Sequence, residues 1–197
     1  MLQTHNLSIT QGETTLWSDL NLSVSPTERL GIFAPSGYGK TTLGRVLAGW
    51  QQPTKGHITL DNLPLPLKGY CPVQLVPQHP ERTFNPARTT GAALHDVWQP
   101  ENEWLEALAI DPELLKRYPS EVSGGELARI ALLRALAPKT RFLIADEITA
   151  QLDPLIQAQT WRFILQQSQQ RKLGMVIISH SKALLDQVCT QVWQSEA

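Results

Sequence analysis

The sequence predicts an α/β fold, a mostly parallel sheet covered by helices on both faces, with a largely helical lobe inserted in its middle. Three observations lead there. Short, continuously apolar runs, "RLGIFA" (29–34), "RFLIAD" (141–146) and "GMVIIS" (174–179), read as strands buried on both faces. Stretches of helical periodicity alternate with them, as parallel connections require. Between about Phe84 and Ala137 the strand pattern gives way to apolar and small residues at helix spacing, in "ENEWLEALAI" and "GELARIALLRALA".

Taken in order, the first third reads as short strands. "LNLSV" (20–24) alternates apolar and polar residues, as a half-buried strand does. "RLGIFA" runs into a glycine-rich loop, "APSGYGKTT" (34–42), and "TTLGRVLAGW" (41–50) continues as a helix. "HITL" and "VQLVP" read as strands, and residues 62–72, with Pro64, Pro66 and Pro72, as an irregular connection. After the helical stretch, "DPLIQAQTWRFILQQSQQ" reads as an amphipathic helix whose polar tail, "LQQSQQRK" (165–172), is a solvated end. "KALLDQVC" is a last helix. The expected organisation is one domain, with a core lobe of about 1–77 and 138–197 and an inserted lobe of about 78–137. No internal repeat is visible.

Bulk properties narrow the function. The chain has 197 residues, 42% hydrophobic and 18% charged, a globular balance rather than a disordered one. Seventeen basic and 18 acidic residues give a formal charge of −1, too little to grip nucleic acid without regard to sequence. No apolar run approaches the ~18 residues of a bilayer span. "MLQTHNLSIT" lacks the charged and apolar regions of a signal peptide. Cys71 and Cys189 are far apart and lack metal-type spacing, so both read as reduced thiols.

Four constellations carry chemistry. In "APSGYGKTT", Gly37 and Gly39 allow the backbone N–H groups to turn inward around phosphate oxygens. Lys40 is placed to reach the outer phosphates, and the Thr41 hydroxyl to ligate magnesium. At the end of "RFLIADE", Asp146 and Glu147 put two carboxylates at the carboxyl edge of a central strand, one for magnesium and one as general base. "VSGGE" (122–126) opens a helix with Ser123, Gly124, Gly125 and Glu126, a second anion-binding end. Two such ends in one chain suggest one nucleotide sandwiched between two chains. Gln78 after "VQLVP", Asp153 after "ITAQL" and His180 after "GMVIIS" are ordinary singly: a polar strand end, a helix cap, a satisfied histidine. Their order is what gives them weight.

That order, "APSGYGKTT", Gln78, "VSGGE", "LIADE", Asp153, His180, resembles the nucleotide-binding subunit of ATP-binding cassette (ABC) transporters over nearly the whole chain. "PQHPERTFNPARTT" (77–90) and "DPLIQAQ" look like the oligopeptide, dipeptide and nickel importer branch. The resemblance implies a P-loop ATPase core with an antiparallel N-terminal β part, and ATP and Mg2+ as ligands. It implies that Ala34, Pro35, Ser36, Gly37, Tyr38, Gly39, Lys40, Thr41 and Thr42 form the Walker A loop and Gln78 the Q-loop residue. Ser123, Gly124, Gly125 and Glu126 become the signature, and Asp146 and Glu147 the Walker B carboxylates. Asp153 becomes the D-loop aspartate, and His180 the switch histidine that contacts the γ-phosphate. Thr41, Gln78 and Asp146 are the metal-binding set; Glu147, His180 and Gln78 are the catalytic set. The implied partners are transmembrane permease subunits, a second ATP-binding subunit and, indirectly, an extracytoplasmic solute-binding protein, with the chain peripheral at the cytoplasmic face of the cell membrane. Other readings are a slow or degenerate subunit of a heterodimer and a soluble ABC ATPase outside transport. Departures from the family pattern are Ala34 for the first loop glycine, Thr27 for a glycine, Val122 for leucine and "AQLD" for "SALD". The adenine-stacking aromatic that the family has near Gln11 is missing; Trp17, the nearest, falls where the family has an apolar core position.

Overall fold

The computed structural model describes residues 1–194. It contains two sheets. The parallel one has five strands in the order β10-β4-β9-β8-β7. They are β4 (Arg29–Phe33), β7 (Val73–Val76), β8 (Phe142–Asp146), β9 (Gly174–Ile178) and β10 (Gln191–Gln194). The other is antiparallel, in the order β2-β1-β5-β6, with β3 pairing beside β1. Its strands are β1 (Leu2–Gln11), β2 (Thr14–Leu20), β3 (Ser23–Val24), β5 (Lys55–Leu60) and β6 (Leu63–Pro64).

Among the described residues six helices complete the fold. α1 (Lys40–Leu47) follows β4; α2 (Thr90–His95), α3 (Asn102–Ala107) and α4 (Gly124–Ala135) lie between β7 and β8; α5 (Pro154–Arg171) and α6 (Lys182–Val188) flank β9. Three single 3₁₀ turns, Pro80–Thr83, Pro112–Lys116 and Pro119–Glu121, each start on a proline, whose fixed φ suits a first helical position.

The continuous apolar strands are explained by two cores, one on each face of the parallel sheet. Successive strand residues point to opposite faces. On β8, Leu143 and Ala145 join the core made with α4, α5 and α6, whereas Phe142 and Ile144 join the core shared with α1 and the antiparallel sheet. β9 divides the same way, Met175 and Ile177 against Val176 and Ile178. A strand wet on either face would have read as alternating; these cannot.

Several details depart from the sequence-based expectation. "LNLSV" is not one strand: β2 ends at Leu20 and β3 begins at Ser23. Thr4 supports the break, its Oγ donating to the Leu20 carbonyl (2.9 Å) and accepting from the Leu22 N–H (2.8 Å), so a side chain stands in for ladder bonds. The tail "LQQSQQRK" is not wholly solvated. Gln167 and Ser168 are buried, and the Ser168 hydroxyl donates to the Leu173 carbonyl at 2.8 Å, tying the helix end to β9. Thr27 is the third residue of a turn closed by the Glu28 N–H on the Ser25 carbonyl, with Pro26 second. Its φ is +74°, a left-handed value awkward for a β-branched residue and natural for the glycine it replaces.

Candidate active site

The site lies at the carboxyl edge of the parallel sheet, because four strands deliver their following residues there. β4 leads into the glycine loop, β7 is followed two residues on by Gln78, β8 ends in Asp146 with Glu147 next, and β9 is followed by His180. Ser36, Gly37, Gly39, Lys40, Thr41, Thr42, Gln78, Asp146, Glu147 and His180 line one cleft of about 400 Å³, together with Gln11 and Leu16. Gln78 lies beyond the strand rather than at its end, exposed on the cleft wall.

The loop's geometry answers for its glycines. Gly37 and Gly39 have φ values of +82° and +86°, which only glycine adopts without strain. A Cβ on Gly39 would also stand 2.9 Å from that of Leu16. Ala34 is buried but keeps a negative φ. What it contributes is its carbonyl, which accepts from Lys40 Nζ at 2.5 Å, beside the Pro35 carbonyl at 2.9 Å. Any L-residue supplies that atom, so alanine serves there.

Asp146 is almost wholly buried, and its Oδ2 meets no hydrogen-bond partner among the described residues. Burial pushes its carboxyl above the usual carboxylate range, against the pull of the Thr41 hydroxyl. Such an orphaned oxygen is costly and suits a cation. With the Thr41 hydroxyl and the Gln78 amide oxygen on the same cleft, the donors are the hard oxygens that Mg2+ takes. Glu147 has φ +53°, a strained value for a non-glycine residue. Its Oε2 bonds His180 Nδ1 at 2.6 Å, with the Glu147 side chain 11% exposed and that of His180 68%.

Other expected residues stand apart. Ala34 and Pro35 form the back of the loop. The Tyr38 ring turns away from the cleft to pack edge-on against Trp17 (5.1 Å between centroids) and beside Trp193 (6.3 Å). Trp17 is core: it is buried, and its indole N–H donates to the Gly39 carbonyl at 3.1 Å. Ser123 caps α4 in a closed box, its Oγ accepting from the Glu126 N–H (3.3 Å) while Glu126 Oε2 accepts from the Ser123 N–H (2.9 Å) and hydroxyl (2.7 Å). These bonds, the hydroxyl's first, hold the Glu126 carboxyl below its ordinary range. Asp153 caps α5, its Oδ1 accepting from Leu155 and Ile156 N–H, both at 3.1 Å. Neither Ser123 nor Asp153 lines the cleft of its own chain. Sequence reasoning missed Leu16 as part of the wall; only the packing of β2 under the loop brings it there.

The sequence model of the ABC transporter family matches residues 17–150. The chain belongs to that family. It is an ABC ATPase, an enzyme whose ATP hydrolysis is coupled to transport. It is 31% identical to the nickel import system ATP-binding protein NikE of Staphylococcus aureus (strain bovine RF122 / ET3-1), over 88% of this chain and 77% of that protein. It is 29% identical to the "Probable peptide ABC transporter ATP-binding protein y4tS" of Sinorhizobium fredii (strain NBRC 101917 / NGR234), over 86% of this chain and 54% of the other. Among solved structures, the dimeric bacterial ABC transporter cassette MJ0796 superposes with a TM-score of 0.83 at 20% identity, covering 98% of this chain and 94% of that one. Its post-hydrolysis dimer bound to ADP and Pi gives 0.84 at 20% identity, over 100% and 94%. At this identity the likeness is one of fold, and the ABC ATPase cassette accounts for both sheets and the helices between β7 and β8.

Proposed function

We propose that this ABC ATPase is the ATP-binding subunit of an importer that drives uptake of nickel, another metal chelate or short peptides through membrane permease subunits. The observation that carries the catalytic half is the orphaned Asp146 Oδ2 beside the phosphate loop, with the Glu147–His180 pair at its rim. The names of the relatives support the transported class. Among the described residues no helix is long and apolar enough to cross a membrane; in this reading the path for solute belongs to the permease, and the chain is peripheral at the cytoplasmic face.

In this reading the N–H groups of the loop from Gly37 to Thr42 cradle the triphosphate of ATP, and Lys40 exchanges its carbonyl partners for phosphate oxygens. Thr41, Asp146 and Gln78 hold Mg2+, which when bound neutralises charge on the phosphate oxygens. Glu147 takes a proton from the attacking water, while His180 holds its carboxylate and presents its second ring nitrogen to the terminal phosphate. Ser123, Gly124, Gly125 and Glu126 complete the site of a second ATP-binding subunit, with Asp153 at the seam between the two. A solute-binding protein engages the permease rather than this chain, and nucleic acid has no part in the cycle.

The test is uptake into proteoliposomes holding the permease, this subunit and its partner ATP-binding subunit, with the solute-binding protein supplied on the opposite face. ATP-dependent accumulation of nickel or of a short peptide is the expected result. ATP turnover with neither solute moving would remove the importer assignment and leave the ATPase.

A further inference from the structure

A second constellation stands on the antiparallel sheet, away from the cleft. β1 and β5 pair so that His5 is directly opposite His57 and Gln3 directly opposite Thr59. Opposed residues project from one face. Here it is the face turned from the core, since the alternating residues Leu2 and Leu60 are the ones in the core. The two imidazole rings stack with centroids 4.7 Å apart and planes 18° from parallel. His5 Nε2 bonds Thr59 Oγ1 at 2.9 Å, and His57 is exposed. On the same face, Gln3 Oε1 is buried and has no hydrogen-bond partner among the described residues.

We propose that His5 and His57, with Gln3 two residues from His5 on the same strand face, form a surface site for one borderline divalent transition-metal ion of the copper, nickel and zinc class. Imidazole is the ligand these ions share. Metal–nitrogen bonds of about 2.0–2.1 Å put two neighbouring ligand nitrogens about 3 Å apart. Rings already stacked on paired strands reach that separation by turning about their side-chain bonds, with the backbone unmoved. The Gln3 oxygen supplies a third, weaker donor, and water completes the shell. Two imidazoles and an amide hold an ion loosely enough to exchange, and its bound form clips β1 to β5 just before the register shift between His5 and Ser8. Hard Mg2+ prefers all-oxygen donors and is not taken, so this site and the nucleotide cleft select different ions. The proposal does not depend on the importer reading.

The test titrates the nucleotide-free full chain with Cu2+, Ni2+, Zn2+ and Mg2+ by calorimetry and follows the imidazole resonances by NMR. One ion per chain is expected, with Cu2+ tightest and no response to Mg2+ on His5 or His57. Substoichiometric Ni2+ should broaden the His5 and His57 signals before those of His79, His95 and His180. His57→Asn, on an exposed side chain, should weaken binding at least tenfold and leave the circular-dichroism melt of the metal-free chain unchanged, whereas His79→Asn should bind as the unaltered protein does. Unchanged affinity in His57→Asn, or earlier broadening at any other histidine, would mean adventitious surface binding only and overturn the proposal.

Discussion

The cleft and the α4 start, both anion-binding in the proposed function, are finished to different degrees within one chain. At the cleft, polar groups are left wanting: Asp146 Oδ2 has no partner among the described residues, and Glu147 is held in a strained left-handed conformation. At the α4 start the opposite holds. Ser123 and Glu126 satisfy each other through three bonds, and Ser123 is exposed. Unmet bonding capacity and strain mark a place that ligands complete. A self-satisfied helix end is a rigid surface that can wait for a partner at little cost. In the proposed reading the first is half of a site, and the second is the part that another chain's half would meet.

The sharpest way to break this contrast is Glu147→Gln. Loss of the general base should lower turnover by about 10²–10⁴-fold while nucleotide binding persists, read as steady-state phosphate release beside equilibrium binding. Turnover within twofold of the unaltered chain would move the base elsewhere. Next comes Ser123→Glu, which places a like charge where the opposite chain's phosphates would dock. Hydrolysis should fall on the order of 10²-fold, as when one oxyanion donor is lost, with binding to the isolated chain intact. If binding by the isolated chain fell too, the α4 start would belong to its own cleft. Smaller is Gln11→Tyr, at the cleft wall where no Phe, Tyr or Trp stands among the lining residues. A stacking ring is worth about 1–3 kcal/mol per base, so affinity for ATP should rise about tenfold by calorimetry; no gain would mean that the base does not pass this wall.

The gentlest probe is Asp146→Asn, read as stability against pH. Its carboxyl is raised by burial in the folded chain, so the folded state binds that proton more tightly than the unfolded one. The carboxyl therefore costs stability once pH rises past the unfolded value of about 3.9, and the cost is complete above the folded pKa. The variant should melt higher than the unaltered chain at neutral pH, and the gap should close as pH falls through that window, while Mg2+-dependent ATP binding weakens. A pH-independent gap in calorimetric melting temperature would mean that the buried charge is not what the fold resists.

Much of this is legible in the sequence. The inner parallel strands β4, β8 and β9 announce themselves because both faces are dry; Asp146 ends β8, and Glu147 and His180 come within two residues of such a strand. The ABC family, too, is readable from the order of motifs. What stayed hidden depends on packing across distant segments. β1 and β2 are interrupted by left-handed residues at Asn6 and Asp19, which breaks the period that would mark them. β10 is four residues long, and "QVWQ" carries no signal until β4 lies beside it. Ser168 reads as polar and is buried because one carbonyl, that of Leu173, comes within its reach. Nor could the sequence say why Ala34 is tolerated: a negative φ and a carbonyl bond to Lys40 make glycine dispensable at that position and not at Gly37 or Gly39.

The bond from the Trp17 indole to the Gly39 carbonyl also gives the phosphate loop a built-in optical reporter. Of the chain's six tryptophans, Trp17 is hydrogen-bonded directly to that loop, and Tyr38, from the loop itself, packs on it. Indole emission responds to its hydrogen bond and its neighbours, so a shift of the loop on filling would register as a change in intrinsic fluorescence, with no label attached.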